Sequence, residues 1–485
     1  MKAKTIFRIA TACAVLACLG LTAAGQKHPR DLGPAPDLEF KLVPPVEFTL
    51  SNGIRCLFIE DRELPLVSLR GVFKGGSLYE PAEKSGLASL MGTVLRTGGT
   101  KKLTGDQIND ELEFIAASIE SMAGSETISV VGSALRKDFD KLVELYADIV
   151  RNPEFRQDKI DLARNQSLES MRRRWDQPML VARLLFSEKL YGSDTPFGRR
   201  ATPASLASIA RQDLLDFHAG FFTPGNMILG IVGDLSAEEA REAFEKAFGT
   251  WPAKPVVLPD IPRLEERADG TITHGFRDTP QGNVIMGHLG VERGHPDEFK
   301  ILVMNDILGG GGFTARLMRE LRSNRGLTYG IYGGVFEGPA GNRGVFQIAS
   351  QLKADKFVEA LEIVKDIIRD MQNNLVTDEE MAVSKNSLIN SFVFRFQEKS
   401  QVLAQFMGLK VQGFPDDYFD TYIDNIRGIT KEDIRAAARK HMDPDRMIIV
   451  VVGDEKRFDK PLAEYGKVES IDIKALQEAE KVPAK

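Results

Sequence analysis

An internal repeat constrains the fold of this chain more than any other feature of its sequence. The segment TPGNMILGIVGD at residues 223–234 returns as DPDRMIIVVVGD at residues 443–454, and a proline, a methionine and a Gly-Asp pair occupy matching places in the two copies. A helical segment with a histidine near its end precedes each copy. Such self-similarity decides the domain organisation, so it is considered before other signals.

A second pair of segments supports the same repeat. KDFDKLVELYADIVRNPEF (137–155) resembles DKFVEALEIVKDIIRDMQN (355–373) at nearly the same offset, and a strand-like run precedes each copy. Apolar residues recur at helical spacing in both segments. Two matches in the same order predict a duplicated α+β fold. It consists of two homologous α/β domains whose helices pack on one side of a mostly antiparallel sheet.

The N-terminal residues are typical of a secretory signal. Lys2, Lys4 and Arg8 precede an apolar run and the small residues 22–24, and that run is short for a membrane span of about 20 residues. We therefore predict a periplasmic or secreted protein with no stable membrane span. The predicted divisions are a signal peptide (1–24), a proline-rich lead-in (25–45), a first domain (46–250), a proline-rich linker (251–271), a second domain (272–460) and a C-terminal tail (461–485).

Composition excludes several partners. The net charge of −6 gives no indication of a nucleic-acid-binding surface or of attraction to an anionic membrane. Removal of the signal peptide leaves one cysteine, Cys56, so no disulfide can form within the mature chain. Packing rather than a disulfide framework must hold the domains together.

Motifs for independent catalysis are missing from the sequence. No HxxH, HExxH, GxSxG or Walker loop occurs. The glycine-rich run ILGGGGFTARL (307–317) lacks the lysine and hydroxyl ending of a phosphate-binding loop, so we predict a tight turn or a close backbone approach there. The histidines of the mature chain are interpreted as packing residues; they are His28, His218, His274, His288, His295 and His441.

The segment RLMRELRSNRGLTYGIYGG (316–334) carries a row of arginines before a tyrosine. Arg316, Arg319, Arg322 and Arg325 recur at every third position, and Tyr329 follows. The row is either a solvated basic face or a clamp for an anion or a carbonyl oxygen, because arginine and tyrosine both donate hydrogen bonds to a polarised oxygen.

Five segments together resemble landmarks of one family, in that family's order, over roughly residues 45–460. They are LSNGIRCLFIED, GGSLYEPAEKSGLASLM, FTPGNMILGIVGDL, ILGGGGFTARLMRELRSNRGLTYGI and RMIIVVVGD. The family is the pitrilysin/insulinase zinc metallopeptidases, the inverzincins, which include the mitochondrial processing peptidase. The resemblance implies a clamshell of two domains with the fold shared by the metalloenzyme LuxS and the processing peptidases. Four such domains commonly enclose a peptide-sized chamber.

The same resemblance implies that the zinc site is degenerate. Catalytic members carry HxxEH after the segment KSGLA, where two histidines bind zinc and the glutamate activates water. Here Ser89 and Thr93 replace the histidines and Gly92 replaces the glutamate, while Glu169 lies near the place of the third ligand. We therefore predict no metal and no cofactor in this chain.

The family's second element is retained. Catalytic members place an arginine and, seven residues later, a tyrosine that face the peptide carbonyl, and Arg322 and Tyr329 match that spacing. In some bacterial members zinc and this pair belong to separate chains. The resemblance thus predicts a substrate-binding subunit of a heterodimeric zinc endopeptidase, inactive alone, whose HxxEH-bearing partner holds zinc.

Two alternatives remain open at this point. In the first, the chain is a structural or peptide-binding member of the family without a catalytic role, and a homodimeric peptide-binding protein is a variant of this. In the second, the chain hydrolyses peptides by itself at an unrecognised site. In the leading hypothesis an extended peptide adds as a strand to a sheet edge near SMAGSETISV (121–130).

Overall fold

The computed structural model describes residues 41–339 and 341–480. The predicted signal peptide and most of the lead-in lie outside these residues. The first half of the described chain contains six strands and eight helices. The strands are β1 (Val46–Thr49), β2 (Arg55–Glu60), β3 (Leu66–Lys74), β4 (Ser118–Ala123), β5 (Thr127–Leu135) and β6 (Met227–Gly233). The helices are α1 (Leu87–Thr97), α2 (Gly105–Phe114), α3 (Phe139–Arg151), α4 (Gln157–Arg174), α5 (Pro178–Tyr191), α6 (Pro203–Ser208), α7 (Arg211–Phe221) and α8 (Ala237–Phe248).

The second half follows an irregular segment that covers the predicted linker. Its strands are β7 (Ile272–Phe276), β8 (Gln281–Leu289), β9 (Val291–Glu292), β10 (Thr328–Gly338), β11 (Val345–Lys353), β12 (Ile448–Gly453) and β13 (Val468–Ile471). Its helices are α9 (Glu298–Asn305), α10 (Phe357–Asn373), α11 (Asp378–Phe392), α12 (Lys399–Gln412), α13 (Tyr418–Gly428), α14 (Lys431–His441), α15 (Leu462–Tyr465) and α16 (Ile473–Ala479).

Each half builds one mixed sheet. The first has the order β1-β2-β6-β3-β5-β4, in which only β2 and β6 pair in parallel. The second has the order β13-β7-β12-β8-β11-β10-β9, with antiparallel pairs at its centre and parallel pairs towards both edges. Strand β13 and helix α16 lie in the predicted tail, so that segment is part of the second sheet and its core.

The sequence repeat is confirmed as a structural repeat. Strands β5 and β11 occupy matching places in the two copies, and so do the helices α3 and α10 that follow them. Helices α7 and α14 have the same bounds once the copies are aligned, and each leads into a central strand, β6 or β12. The predicted α+β fold with two homologous domains is therefore correct.

Two helices are exchanged between the halves. Helix α5 of the first half packs on β8 and β12 of the second sheet, and α12 of the second half packs on β6 and β2 of the first. The approach of α12 is close, because a Cβ at Gly230 would overlap the sulfur of Met407. Each sheet is thus covered on a second face by a helix from the other half, which the prediction of helices on one side did not anticipate.

Ion pairs reinforce this contact between the halves. Arg293, before α9, binds Glu126 in the β4–β5 turn at 2.5 Å, with both side chains about four-fifths buried. Further pairs between the halves are Lys399–Asp61, Lys410–Glu47, Arg174–Glu480 and Lys189–Glu469. The more exposed of these pairs, such as Lys189–Glu469, contribute roughly 0–1 kcal/mol each, so the apolar surface that α5 and α12 bury contributes more than they do. From Leu42 onward the described chain forms one compact unit.

Within residues 41–339 and 341–480, none of the helices combines the length and the hydrophobicity that a membrane-spanning helix needs.

A partly buried carboxylate in the second half titrates near neutral pH. Glu337 lies at the end of β10, and its Oε1 has no hydrogen-bond partner among the described residues. Burial, and then the nearby Glu298 carboxylate, raise the pKa of Glu337 from an ordinary 4.5 to about 7. Burial also raises the pKa of Glu298, and the hydrogen bond that the Tyr418 hydroxyl donates to its carboxylate opposes that effect.

We expect Glu337→Gln to stabilise the protein at pH 8 by about 2 kcal/mol and to change little at pH 4.5. The folded chain retains the Glu337 proton up to a higher pH than the unfolded chain does. The wild type therefore loses stability as pH rises from 4.5 through 7, and the neutral amide removes that loss. Chemical denaturation at several pH values measures the effect.

Glu464→Gln is the matched control, because Glu464 is exposed on α15 and the substitution removes the same charge. It should leave the pH dependence of stability unchanged. Equal pH profiles for wild type and Glu337→Gln would contradict the assignment of this titration to Glu337.

Candidate functional site

Helix α1 exposes Ser89 and Thr93, two of the three helix positions predicted to form a degenerate zinc site, and buries the third, Gly92. Glu80 caps its start by accepting hydrogen bonds from the backbone N–H groups of Gly86 at 2.8 Å and Ala88 at 2.9 Å. Ser89 and Thr93 lie one turn apart, and the Thr93 hydroxyl donates to the Ser89 carbonyl at 2.9 Å. The Thr93 hydroxyl, at a position where catalytic members have a zinc-binding histidine, therefore donates its hydrogen bond to the helix backbone.

Gly92 marks a close contact between α1 and β4. A Cβ at this position would lie 2.8 Å from the backbone nitrogen of Ala123 and 3.1 Å from its Cβ. The Ser121 hydroxyl also donates to the Gly92 carbonyl at 2.6 Å. The place of the family's catalytic glutamate is thus closed by a strand as well as lacking a carboxylate.

Glu169 does not complete a metal site. It lies on α4, which packs against α1, but its carboxylate is exposed and pairs with Arg172 one turn along the same helix. Successive residues lie about 100° apart around a helix, so Glu169 is on the side of α4 away from Leu168 and Met171, which face the core. Zinc is bound in proteins by thiolates, imidazoles and carboxylates, and Ser89, Gly92 and Thr93 provide none of these groups. The residues at the helix positions therefore do not fit the metal.

Carboxylates neutralise three of the four arginines in the row. Arg316 binds Glu380 at 2.8 Å and Asp370 at 2.6 Å, Arg319 binds Glu380 at 3.1 Å, and Arg325 binds Glu320 at 2.7 Å. Burial alone would raise the pKa of Glu380, but hydrogen bonds from Arg316 lower it to about 2. Among the described residues, Arg322 alone of the four arginines has no carboxylate within salt-bridge distance.

Two aromatic rings flank Arg322 in place of a carboxylate. Its Cζ lies 4.5 Å from the ring centroid of Phe313 and 4.5 Å from that of Tyr329. Both rings are largely exposed, at 63% for Phe313 and 83% for Tyr329. A guanidinium between rings keeps its N–H groups available at the edges, which is the arrangement that hydrogen-bonds a carbonyl or an anion.

A bulge in β10 presents Tyr329 outward. The β10–β11 register shifts between Thr328 and Ile331, so Tyr329 and Gly330 together lie opposite the single residue Gln351, and β10 has one extra residue there. The buried hydroxyl of Thr328 lies 2.9 Å from that of Ser350 and donates to the Gln351 carbonyl at 2.7 Å. Ser350 in turn donates to the Gly330 carbonyl at 2.9 Å, which fixes the bulge.

The glycine-rich segment lies against the outer edge of β10. A Cβ at Gly309 would lie 2.7 Å from the backbone nitrogen of Gly333, and Gly312 has φ +62°. Asn305 acts as a substitute strand, since its side-chain amide bonds both the N–H and the carbonyl of Val335, at 2.8 and 2.7 Å. The predicted close backbone approach is present, and it occupies this edge.

The segment predicted for strand addition lies at one edge of the first sheet. Strand β4 is the outer strand of the first sheet, and its Met122 is 70% exposed. It lies beside α1, so a peptide added to β4 would pass the degenerate zinc residues. The segment predicted for strand addition therefore includes an edge strand.

A cavity of about 800 Å³ lies elsewhere, between the two halves. Its walls include β3, the β4–β5 turn, the linker and α12. None of the degenerate zinc residues, nor Arg322 or Tyr329, lines it.

Sequence reasoning missed one cluster of possible ligands, formed by His295, Asp297 and His441. Nε2 of His441 lies 2.9 Å and Nζ of Lys440 lies 2.7 Å from the Asp297 carboxylate, while the Asp297 N–H donates to His295 at 3.0 Å. These bonds satisfy the ligand atoms within the protein and join the start of α9 to the end of α14. The two histidines are far apart in sequence, so no spacing motif could reveal the cluster.

The other described histidines bond the main chain, as the packing interpretation expects. His218 lies 2.8 Å from the Val150 carbonyl, and burial lowers its pKa to about 4, so the ring is neutral. His274 and His288 contact the carbonyls of Gly453 and Leu289.

Two family profiles match this chain in sequence order. The one described as "Insulinase (Peptidase family M16)" matches residues 56–199, and the one described as "Peptidase M16 inactive domain" matches residues 208–388. Together they cover more than half of the chain. The chain belongs to peptidase family M16. The predicted resemblance to the insulinase family is thereby confirmed.

Individual relatives agree with this assignment to M16. The fold is similar to the peptidase M16 inactive domain from Pseudomonas fluorescens, with a TM-score of 0.77 and 28% identity over 85% of this chain and 98% of that one. An uncharacterised zinc protease of Mycobacterium leprae is 24% identical, covering 74% of this chain and 80% of the relative. The non-peptidase homologue YmxG of Helicobacter pylori is 23% identical, covering 83% and 93%. The matches to the M16 inactive domain indicate a non-catalytic, peptidase-like member of the family.

Proposed function

We propose that this M16 chain is the substrate-binding subunit of a two-chain zinc endopeptidase that acts on extended peptides outside the cytoplasm. The observation that carries the proposal is the state of Arg322. Three neighbouring arginines are neutralised by carboxylates, whereas Arg322 lies between two exposed rings with no such partner among the described residues. A cation left unpaired beside an exposed tyrosine hydroxyl suits a group that acts on a bound ligand.

The chemistry of the pair is oxyanion stabilisation. When a peptide carbonyl is attacked, its oxygen gains negative charge, and donors already in place stabilise that charge more than they stabilise the neutral carbonyl. Arg322 offers charged N–H groups and Tyr329 a neutral O–H. The bulge fixed by Thr328 and Ser350 holds Tyr329 before the substrate arrives, which lowers the reorganisation cost.

Peptide binding is assigned to the edge of β4. An edge strand can pair with an extended segment through main-chain hydrogen bonds and so accepts many sequences. The β10 edge is unsuitable because Asn305 and the glycine-rich segment occupy it. The proposed substrates are therefore peptides or unfolded segments, bound in extended form.

Zinc and the attacking water would come from an HxxEH-bearing homologous partner, because Ser89, Gly92 and Thr93 cannot supply them. The location outside the cytoplasm rests on the signal-like residues 1–24.

The alternative is a structural or peptide-binding member that never contributes to turnover. It leaves the unpaired Arg322 and exposed Tyr329 without a role.

We expect the purified mature chain to contain far less than one zinc per chain and to hydrolyse no peptide alone. Mixing it with an HxxEH-bearing M16 relative encoded in the same genome should yield a stable complex. Turnover of denatured casein by that complex should exceed the sum of the separate chains. Metal analysis, size-exclusion chromatography and a casein assay measure these results.

Near one zinc per chain, with hydrolysis by the chain alone, would contradict the proposal. A stable complex whose turnover equals that of the relative alone would favour the structural alternative.

A further inference from the structure

Phe313 is an exposed aromatic residue with no evident packing role. It lies in a tight turn, Gly312–Thr314, immediately after the glycine-rich segment, and 63% of its surface is exposed. Among the described residues, Arg322 is its one ring-stacking or cation partner, with Cζ 4.5 Å from the ring centroid. A phenylalanine so exposed contributes little to the core, so its contact with Arg322 is its distinctive interaction.

The conformation of the turn brings Phe313 to this position. The close approach of Gly309 to Gly333 holds the segment against β10, and the left-handed conformation of Gly312, with φ +62°, turns the chain just before Phe313. The ring then lies beside the guanidinium that Tyr329 contacts as well.

An arginine without a carboxylate partner is otherwise mobile. The arginine side chain has several rotatable bonds, and each must be ordered before its N–H groups can act on one oxygen. A ring that stacks on the guanidinium favours one orientation of its plane by a factor of about two to five at an exposed site. Two rings together can therefore order Arg322 by roughly tenfold.

We propose that Phe313 is a positioning residue for the peptidase reaction: with Tyr329, its ring orients the Arg322 guanidinium so that an N–H edge faces the carbonyl of the bound peptide. The inference rests on the proposed function and extends it to a residue outside the arginine–tyrosine pair.

Kinetics of the reconstituted complex provide the first test, with an internally quenched casein-derived peptide as probe. We expect Phe313→Ala to lower kcat by about two- to fivefold with KM nearly unchanged, because one of the two rings is lost and Arg322 acts mainly in the transition state. Phe313→Tyr should restore kcat, since it keeps the ring, and Phe313→Leu should not. In an Arg322→Ala background, Phe313→Ala should have no further effect.

The matched control is Phe394→Ala. Phe394 is a similarly exposed phenylalanine, at 59%, in another short helical turn. It should leave kcat and KM at their wild-type values. If Phe313→Ala instead raised KM alone, or lowered kcat equally in the Arg322→Ala background, the positioning role would be wrong.

A spectroscopic test on the chain alone separates this inference from the proposed function. In protein labelled with ¹⁵N-arginine, the Nε–Hε signal of Arg322 is assigned by its loss in Arg322→Lys. We expect an ordered side chain in wild type and in Phe313→Tyr, and a mobile one in Phe313→Ala. Equal mobility in all three would overturn the inference. If Phe313→Ala makes the Arg322 side chain mobile, Phe313 does orient Arg322. If Arg322→Ala then leaves turnover of the complex unchanged, the proposed function is refuted while the positioning by Phe313 stands.

Discussion

Arg322→Ala should lower the kcat of the reconstituted complex by about 100-fold, the loss typical of removing one oxyanion donor. The wild-type guanidinium lies between two rings with no carboxylate partner among the described residues, so its interaction with the developing charge replaces no existing ion pair. Tyr329→Phe, which removes a neutral donor, should lower kcat by about tenfold. Steady-state kinetics with the casein-derived peptide measure both losses.

Arg325→Ala is the control for charge in the same segment, because Arg325 is neutralised by Glu320. Its turnover should stay within about twofold of wild type, as expected for loss of an exposed ion pair. All variants should still elute as the complex in size-exclusion chromatography. Undiminished turnover in both Arg322→Ala and Tyr329→Phe would remove the catalytic role and leave a binding or structural one.

Gly92→Ala should destabilise the protein by about 2 kcal/mol, although alanine is a better helix former than glycine. The added Cβ would lie 2.8 Å from the Ala123 backbone nitrogen, so α1 or β4 must move. Because backbone atoms of a strand cannot rotate away, the strain exceeds the gain in helix propensity. Urea denaturation of the purified chain measures the change.

Gly408→Ala is the opposite control. Gly408 lies within α12, and a Cβ there would meet nothing within 4 Å. It should therefore stabilise the protein by roughly 0.5–1 kcal/mol. If the two substitutions had the same effect, the contact between α1 and β4 would not be as close as described.

The close contact between α1 and β4 at Gly92 also predicts that substituting the three side chains does not restore a zinc site. A variant with Ser89→His, Gly92→Glu and Thr93→His regains the HxxEH residues but places a long side chain against β4. We expect it to bind zinc only weakly and to unfold more readily than wild type. The loss of the motif is thus accompanied by a backbone arrangement that excludes it.

The sequence was sufficient for the parts of the fold that depend on local pattern. The repeated segments correspond to β5–α3 and β11–α10, and to α7–β6 and α14–β12. Periodic apolar residues specify which face of a helix is buried, and this information is local. The exchange of α5 and α12 was not predictable, because an apolar helix face does not specify which sheet will cover it.

By itself, the sequence determined the duplication, the absence of histidine at positions 89 and 93 and of glutamate at position 92, and the spacing of Arg322 and Tyr329. The tertiary structure decided which arginines are neutralised, which strands lie at sheet edges, and that Phe313 flanks Arg322. It also joined His295 to His441 through Asp297. The physical reason is the same in each case. Ion pairs, stacking and strand pairing depend on distances between segments remote in sequence, and only folding sets those distances.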